Sequence, residues 1–243
     1  MIRAFRGEFG LKIRFHVPQI HALLGEGPQA VEIEQGEEAL YPRATEHIIR
    51  IRNADDHSRG GIGRPPHMWP REERFQPEPY IRQNVGPVDV VICPRKREYG
   101  ESKNWAHWAT LNTLPNVFAA GAPDSSYDVT PRNAWLYDRF TDASIEAMRK
   151  ARLCVATDAG LAHLAVLCGT PLLLLTHEGR VAPGPVVNSK GNVAREHYWP
   201  VKLDEYYHAA NHMDTPIWTY DHAWTEPDGV RDRVMQILRG DTS

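Results

Sequence analysis

The sequence is short of cysteine, and its few cysteines are dispersed. Of its 243 residues only three are cysteine, namely Cys93, Cys154 and Cys168, and none of them forms a CxxC pair. Each lies in an apolar stretch of the chain, where a thiol packs as a small apolar group. We therefore expect buried, reduced thiols and a cytosolic location, that is, a cytoplasmic protein.

Long apolar runs and a strong net charge are also missing. The longest apolar run, around Pro171–Leu175, is far too short to cross a bilayer, so we expect no membrane span. Residues 1–6 carry charge but lack the apolar segment of a signal peptide. The formal net charge is −3, so no global field attracts nucleic acid or an anionic membrane. Hydrophobic residues make up 42% of the chain, which is enough for a packed core.

The chain divides at a segment rich in proline, glycine and charge. Residues 53–87 show little periodicity, which is typical of a linker or a long surface segment. By this interpretation, residues 1–85 form a small α/β unit plus the linker, with strands at Ala30–Ile33 and His47–Ile51. Residues 86–243 form a larger domain that ends in a helix.

The larger domain alternates strand and helix patterns. The predicted strands are Val88–Cys93, Val117–Ala120, Leu153–Ala156 and Pro171–Leu175, and the predicted helices are Trp105–Leu114, Asp142–Ala151, Gly160–Leu167 and Val230–Arg239. Such alternation indicates a parallel sheet covered by helices, in which ligands bind outside the carboxyl ends of the strands. Segment 195–224 is rich in histidine, tyrosine and tryptophan, and we expect most of these side chains to pack.

The most informative segment is a strand that runs through Thr157 and Asp158 into a glycine turn and a helix. Free backbone N–H groups at a helix start bind phosphate, and Gly160 lets the backbone approach a ligand closely. Asp158 is a candidate for holding a sugar hydroxyl or capping the helix, and His163 for donating to a phosphate oxygen. The alternative is that Asp158 is only an N-cap and His163 a buried, satisfied histidine.

This segment resembles the donor-site motif of the heptosyltransferase-like glycosyltransferases, the ADP-heptose:LPS heptosyltransferase family. In that family a strand leads into Asp-Thr-Gly, two residues, His, a small apolar helix, a Gly, a Pro and another strand. Here Gly169-Thr170-Pro171 and Leu172–Leu175 follow in step, while Ala159 replaces the usual Thr. The resemblance implies an α/β fold of GT-B type, with two Rossmann-like halves of which the N-terminal one is reduced.

The resemblance extends upstream of the motif. A strand is followed by the basic loop Pro94–Arg97 and then by Lys103-Asn104-Trp105, which match the family's basic loop and Lys-x-Trp element. The resemblance makes Arg95, Lys96 and Lys103 candidates for holding a diphosphate, a role that suits their charge. The alternative for residues 95–97 is a solvated charge run.

Three further donor-side positions follow from the family pattern. The strand that ends in Gly121 matches the element that flanks the nucleotide base, and Asp124 in the next loop is a candidate contact for the ribose or base. His177 and Glu178 follow the last apolar strand, where the family's loop lies near the donor. With Ala159 and Gly160 these residues complete the predicted donor site.

The catalytic base is predicted in the N-terminal half. The family places an acidic residue in a Gly-rich loop after its first strand, and here Gly7–Gly10 stands at that place, with Leu11 where the family has Asp. Glu8 is therefore one candidate base and His16, whose ordinary pKa lies closer to neutrality, is another. The alternative for Glu8 is an exposed loop carboxylate. Because the half is short, a partner chain or residues 53–84 are expected to supply part of the acceptor site.

The resemblance implies an inverting glycosyltransferase for hexosyl or heptosyl transfer from a nucleotide-diphosphate sugar to a hydroxyl. The acceptor is a saccharide or a hydroxymethylated base in phage-type DNA; the basic segment 64–82 favours DNA and the net charge disfavours it. The alternatives are a sugar-nucleotide epimerase or hydrolase and a non-catalytic sugar-nucleotide-binding subunit. The resemblance further implies no cofactor and no metal, and an oligomer is compatible with it.

Overall fold

The computed structural model describes the central and C-terminal parts of the chain in most detail. The described residues are 29–34, 37–41, 44–50, 84–96, 104–121, 125–129, 142–176, 186–187, 193–194, 215–221 and 227–241. Within them, no helix is both long enough and apolar enough to cross a membrane.

Strands and helices alternate along these residues. The strands are β1 (Ala30–Glu34), β2 (Glu46–Arg50), β3 (Val90–Cys93), β4 (Val117–Ala119), β5 (Leu153–Thr157), β6 (Leu172–Thr176), β7 (Val186–Val187), β8 (Val193–Ala194) and β9 (Ile217–Asp221). The helices are α1 (Asp142–Lys150), α2 (Gly160–Leu167) and α3 (Pro227–Arg239), with 3-10 helices η1 (Glu38–Leu40) and η2 (Trp108–Thr113).

A five-stranded sheet in the order β4-β3-β5-β6-β9 forms the centre of the fold. All of its neighbouring strands are parallel. Every residue of β3 and β5 is buried, as expected for strands covered on both faces. Counted from β3, the strand order is 2-1-3-4-5, one of the common doubly wound arrangements. The predicted α/β class with a parallel sheet is confirmed.

Helical layers cover both faces of this sheet. Successive side chains of a strand point to opposite faces, so Cys154 and Ala156 belong to one apolar cluster, and Leu153 and Val155 to another. The first cluster includes buried residues of α1 and α2, and the second includes those of η2 and α3. Buried side chains of β1 also belong to the first cluster. The smaller sheets are parallel β1–β2 and antiparallel β7–β8.

A Schellman motif terminates α2 and directs the chain into β6. Gly169 has φ +75°, its N–H donates to the Val166 carbonyl, and the Thr170 N–H donates to the Ala165 carbonyl. The Thr170 hydroxyl donates to the carbonyl of Met148 near the end of α1, at 2.6 Å. The Gly-Thr-Pro step of the sequence motif therefore joins the two helices to the next strand.

Polar contacts tie α3 to the amino-terminal edge of the sheet, opposite the carboxyl ends of the strands. The Arg152 guanidinium donates to the carbonyl of Leu238 at 2.5 Å and lies 3.9 Å from the Asp89 carboxylate. The Asn116 amide donates to the same carboxylate at 2.7 Å. These groups are engaged in holding the C-terminal helix.

The three cysteines are free and buried, as predicted. The Sγ atoms of Cys93 and Cys154, on adjacent strands, lie 3.8 Å apart. The hydrogen bond with Cys93, together with burial, raises the pKa of the Cys154 thiol. Burial also raises the pKa of the Cys168 thiol, an effect that the nearby Arg149 guanidinium partly opposes. Thiols of this kind stay protonated and are poor nucleophiles.

The structure shifts some predicted elements and adds others. The helix expected at 105–114 is the shorter 3-10 helix η2, and the terminal helix starts three residues before its expected start at Val230. Strand β9 was not predicted, because its residues fall in the aromatic-rich segment that we expected only to pack. Residues 51–83 lie outside the described residues, so the domain boundary near residue 85 stays a prediction.

We expect Gly169→Ala to lower the free energy of unfolding by about 1 kcal/mol, because alanine is strained at positive φ. Urea unfolding followed by circular dichroism measures this change. Gly229→Ala is the matched control: Gly229 lies in the first turn of α3, where alanine is a better helix former, so stability is expected to stay level or rise. Equal stability of Gly169→Ala and the wild type would contradict the positive φ of Gly169 in the Schellman motif.

Candidate functional site

The connections after β3 and β5 leave the sheet in opposite directions. The chain after β3 passes through η2 to β4 on one side, and the chain after β5 passes through α2 to β6 on the other. The two strands are direct neighbours, with Cys93 opposite Ala156. A doubly wound sheet has its ligand crevice at such a switch point, outside the carboxyl ends of the strands. The crevice is therefore flanked by the segments that follow Cys93 and Thr157.

Helix α2 begins at this crevice without a capping side chain. Its N-cap residue is Ala159, with φ −152° and ψ 166°, and not Asp158, which was the N-cap candidate in the sequence. The side chain of alanine cannot accept a hydrogen bond from the first N–H groups of the helix. The N–H of Ala162 donates to the Ala159 carbonyl, so the N–H groups of Gly160 and Leu161 precede the first helical bond. These N–H groups and the helix dipole favour an anion at this point.

Only the start of α2 faces solvent. Gly160 and Leu161 are half-buried, whereas every later residue of the helix is buried. His163, which is 7% exposed, lies within this enclosed part, one turn from the helix start. Asp158 is half-buried just before the N-cap. The burial of His163 is consistent with both roles considered for it, a histidine that only packs in the core and one that donates to a phosphate at the start of the helix.

Five buried polar atoms have no hydrogen-bond partner among the described residues, and two of them belong to segments that flank the crevice. They are the hydroxyl of Thr157, the last residue of β5, and the indole N–H of Trp105 in the segment between β3 and η2. Thr157 is 1% exposed and Trp105 is 2% exposed. An unpaired polar group in the interior costs about 1–3 kcal/mol.

The loops that follow β3 and β4 are joined to each other. A tight turn at Pro94, closed by the Arg95 N–H on the Cys93 carbonyl at 2.7 Å, bends the chain away from the strand direction. Arg95 then forms an antiparallel bridge with Ser126. The Arg95 guanidinium donates to the Ser125 hydroxyl at 2.5 Å and to its carbonyl at 3.5 Å. Arg95 therefore braces the two loops in addition to its predicted place at the donor site.

Lys96 differs from its neighbour because its side chain is exposed. Its backbone N–H donates to the Ser125 carbonyl at 2.9 Å, which fixes the position of the residue. Its ammonium lies 5.8 Å from the centroid of the Tyr127 ring, within reach of a weak cation–π contact. The backbone of Lys96 is therefore held in place, while its exposed ammonium is free to turn toward a ligand.

Gly121 permits the close packing of this loop pair. A Cβ at this position would lie 2.6 Å from the Ser126 hydroxyl oxygen, so a larger residue would push the bridge away. Gly121 is buried at the carboxyl end of β4, one strand away from the crevice. The predicted strand–glycine element is therefore present, and its contact in the structure is with Ser126.

The structure brings most of the predicted donor residues to the carboxyl edge of one sheet. Those it describes there are Arg95, Lys96, Gly121, Asp158, Ala159, Gly160 and His163. Glu8, His16, Lys103, Asp124, His177 and Glu178 lie outside the described residues. Ser125 and Tyr127 are additions that no sequence signal indicated, since their contacts join positions about thirty residues apart. Among the described residues, no group of three potential metal ligands occurs.

The comparisons with known proteins found similarity in structure only. No protein-family model matches the chain, and neither does any curated sequence. The iron-containing dodecameric heptosyltransferase TibC of enterotoxigenic E. coli aligns over 98% of this chain and 79% of its own, at 13% identity and TM-score 0.48. The E. coli heptosyltransferase WaaC, solved with ADP, aligns over 98% and 97%, at 9% identity and TM-score 0.45. Similarity this low leaves the function to be argued from the residues.

The contact between Arg95 and Ser125 leads to different stability predictions for the adjacent residues Arg95 and Lys96. Arg95→Ala is expected to lower the free energy of unfolding by about 1 kcal/mol, because the half-buried guanidinium loses its bonds to Ser125. Lys96→Ala is the matched control and should stay within about 0.5 kcal/mol of the wild type, because its ammonium is exposed. Urea unfolding measures both variants. Equal losses in the two would mean that the Arg95–Ser125 contact adds nothing.

Proposed function

We propose that this protein is a glycosyltransferase of GT-B type that uses a nucleotide-diphosphate sugar as donor. The observation that carries the proposal is the uncapped start of α2 at the switch point of the sheet, within the segment that resembles the heptosyltransferase donor motif. A diphosphate is the ligand that suits free N–H groups, a helix dipole and a nearby lysine. Sugar transfer also gives Asp158 a task, because a carboxylate accepts hydrogen bonds from sugar hydroxyls.

The donor site acts mainly by stabilising negative charge. In the proposed reaction the bond between the anomeric carbon and the diphosphate breaks, and charge develops on the leaving phosphate. We propose that the ammonium of Lys96 and the imidazole of His163 contact this phosphate. The backbone N–H groups of Gly160 and Leu161 are held in place by the helix, and such preorganised groups stabilise a developing charge without reorganisation.

Inversion requires a hydroxyl of the acceptor to attack the anomeric carbon from the face opposite the diphosphate. A base must take the proton of that hydroxyl, and we propose Glu8 or His16 for this role. The acceptor is proposed to be a saccharide, or a hydroxymethylated base in DNA. The transfer is proposed to need neither a metal nor an organic cofactor, so activity should persist in excess EDTA.

Nucleotide binding tests the donor site directly. At a concentration one hundred times its dissociation constant, the correct nucleoside diphosphate should stabilise the protein by about 2.7 kcal/mol. For a chain of this length that corresponds to a rise in Tm of roughly 5–10 °C. A thermal-shift panel of nucleoside diphosphates and their sugars measures this rise in Tm and identifies the nucleobase of the donor.

Two site variants and one control variant are included in the panel. Asp158→Asn keeps the side-chain shape and should weaken binding of the nucleotide sugar more than that of the nucleotide alone. His163→Gln should weaken both ligands. Asp228→Asn, on the exposed side of α3, should change neither. No shift with any nucleotide, or equal shifts in all variants, would contradict the donor site.

Turnover of the identified donor separates transfer from its alternatives. A transferase releases nucleoside diphosphate only when an acceptor is added, whereas a hydrolase or epimerase consumes the donor alone, and a binding subunit does neither. The acceptor screen should include saccharides and hydroxymethylated DNA. If DNA is the acceptor, binding should weaken steeply as salt is raised.

A further inference from the structure

We propose that Arg95 is a positioning residue of the donor site, which acts on the ligand through Lys96 and does not itself contact the diphosphate. This inference rests on the function proposed above and concerns the same site. Both residues follow β3 on the loop that flanks the crevice, but their surroundings differ. Arg95 is half-buried and its guanidinium donates to Ser125, whereas Lys96 is exposed.

Lys96 lies on a small antiparallel ladder at the carboxyl edge of the sheet. The ladder joins residues 94–96, which follow β3, to residues 125–127, which follow β4. Two segments this short are at best marginally stable in water on their own, so side-chain contacts between them affect where the loop stands. The backbone contacts are the bridge between Arg95 and Ser126, the Lys96 N–H on the Ser125 carbonyl at 2.9 Å, and the Tyr127 N–H on the Pro94 carbonyl at 2.7 Å.

Ser125 is the residue that both Arg95 and Lys96 contact. Its carbonyl accepts the Lys96 N–H and lies 3.5 Å from Nη1 of Arg95, whose shorter bond is to the Ser125 hydroxyl at 2.5 Å. The ammonium of Lys96 lies 5.8 Å from the ring centroid of Tyr127, on the same segment as Ser125. The backbone and the ammonium of Lys96 therefore both lie against the segment that Arg95 secures.

A lysine on an ordered loop binds an anion more tightly than one on a mobile loop. The lysine side chain has many rotamers, and their ordering on binding opposes affinity. A loop that is ordered before the ligand arrives reduces this loss of entropy. Loss of the contact between Arg95 and Ser125 should therefore weaken diphosphate binding although the charge of Lys96 is unchanged.

Calorimetric titration of the full chain with nucleoside diphosphates and inorganic pyrophosphate, well below Tm, tests this role. Lys96→Ala is expected to raise Kd about tenfold, because one charged contact is lost. Arg95→Ala should raise Kd about fivefold through the lost ordering of the loop. Ser125→Ala should have the same effect as Arg95→Ala without removing any charge. Ser125→Thr keeps the hydroxyl and should restore most of the affinity.

The double variant Arg95→Ala/Lys96→Ala distinguishes positioning from direct contact. If Arg95 acts through Lys96, the double variant should bind pyrophosphate within about twofold of Lys96→Ala alone, because the two effects are coupled. Two independent phosphate contacts would instead multiply to a rise in Kd of about fiftyfold, and that result would overturn the inference. Weaker binding in Arg95→Ala with wild-type affinity in Ser125→Ala would also overturn it.

Arg152→Ala is the matched control for the loss of a structural arginine. The Arg152 guanidinium also donates to a distant segment, at the Leu238 carbonyl, but at the amino-terminal edge of the sheet. This variant should lower Tm and leave Kd unchanged. Wild-type affinity in both Arg95→Ala and Ser125→Ala would overturn the inference and leave the proposed function standing. A wild type that binds neither nucleotide nor pyrophosphate would refute the proposed function and this inference together.

Discussion

The burial of β5 on both faces is the constraint on which the rest of the structure depends. A strand enclosed between β3 and β6, with helices above and below, must be apolar along its length and can offer polar groups only where it ends. The parallel arrangement sends each chain back over a face of the sheet, so all carboxyl ends meet at one edge. The proposed site therefore lies at that edge, whereas Asp89 and Arg152 at the other edge hold α3.

The same constraint accounts for the character of α2. This helix packs into the core almost all round, so its apolar sequence leaves no polar stripe and only its first turn is open. An N-cap of alanine leaves the first N–H groups of such a helix without a side-chain partner. In the proposed donor site, a phosphate of the nucleotide would accept hydrogen bonds from these N–H groups. Lys96 adds charge from a loop that Arg95 and Ser125 hold in place.

The helices and strands that were predicted correctly are those whose sequence signals lie within a few residues of one another. The apolar runs of β5 and β6, the glycine at each end of α2 and the amphipathic α3 all carry signals within a few residues. Strand β9 was missed because it falls within the aromatic-rich segment 195–224, although Ile217 to Tyr220 are strand-prone types. The contact of Arg95 with Ser125 was missed because the two residues are thirty positions apart and Ser125 has no marker in the sequence.

Amide hydrogen exchange with and without the nucleoside diphosphate would test the central claim most directly, because it locates the ligand on the chain. The account predicts added protection in the peptides that contain residues 94–96 and 158–163, which flank the crevice between β3 and β5, and no change at the amino-terminal edge around Asp89 and Asn116. Protection confined to other segments, with these two unchanged, would show that the switch point of the sheet is not the nucleotide site.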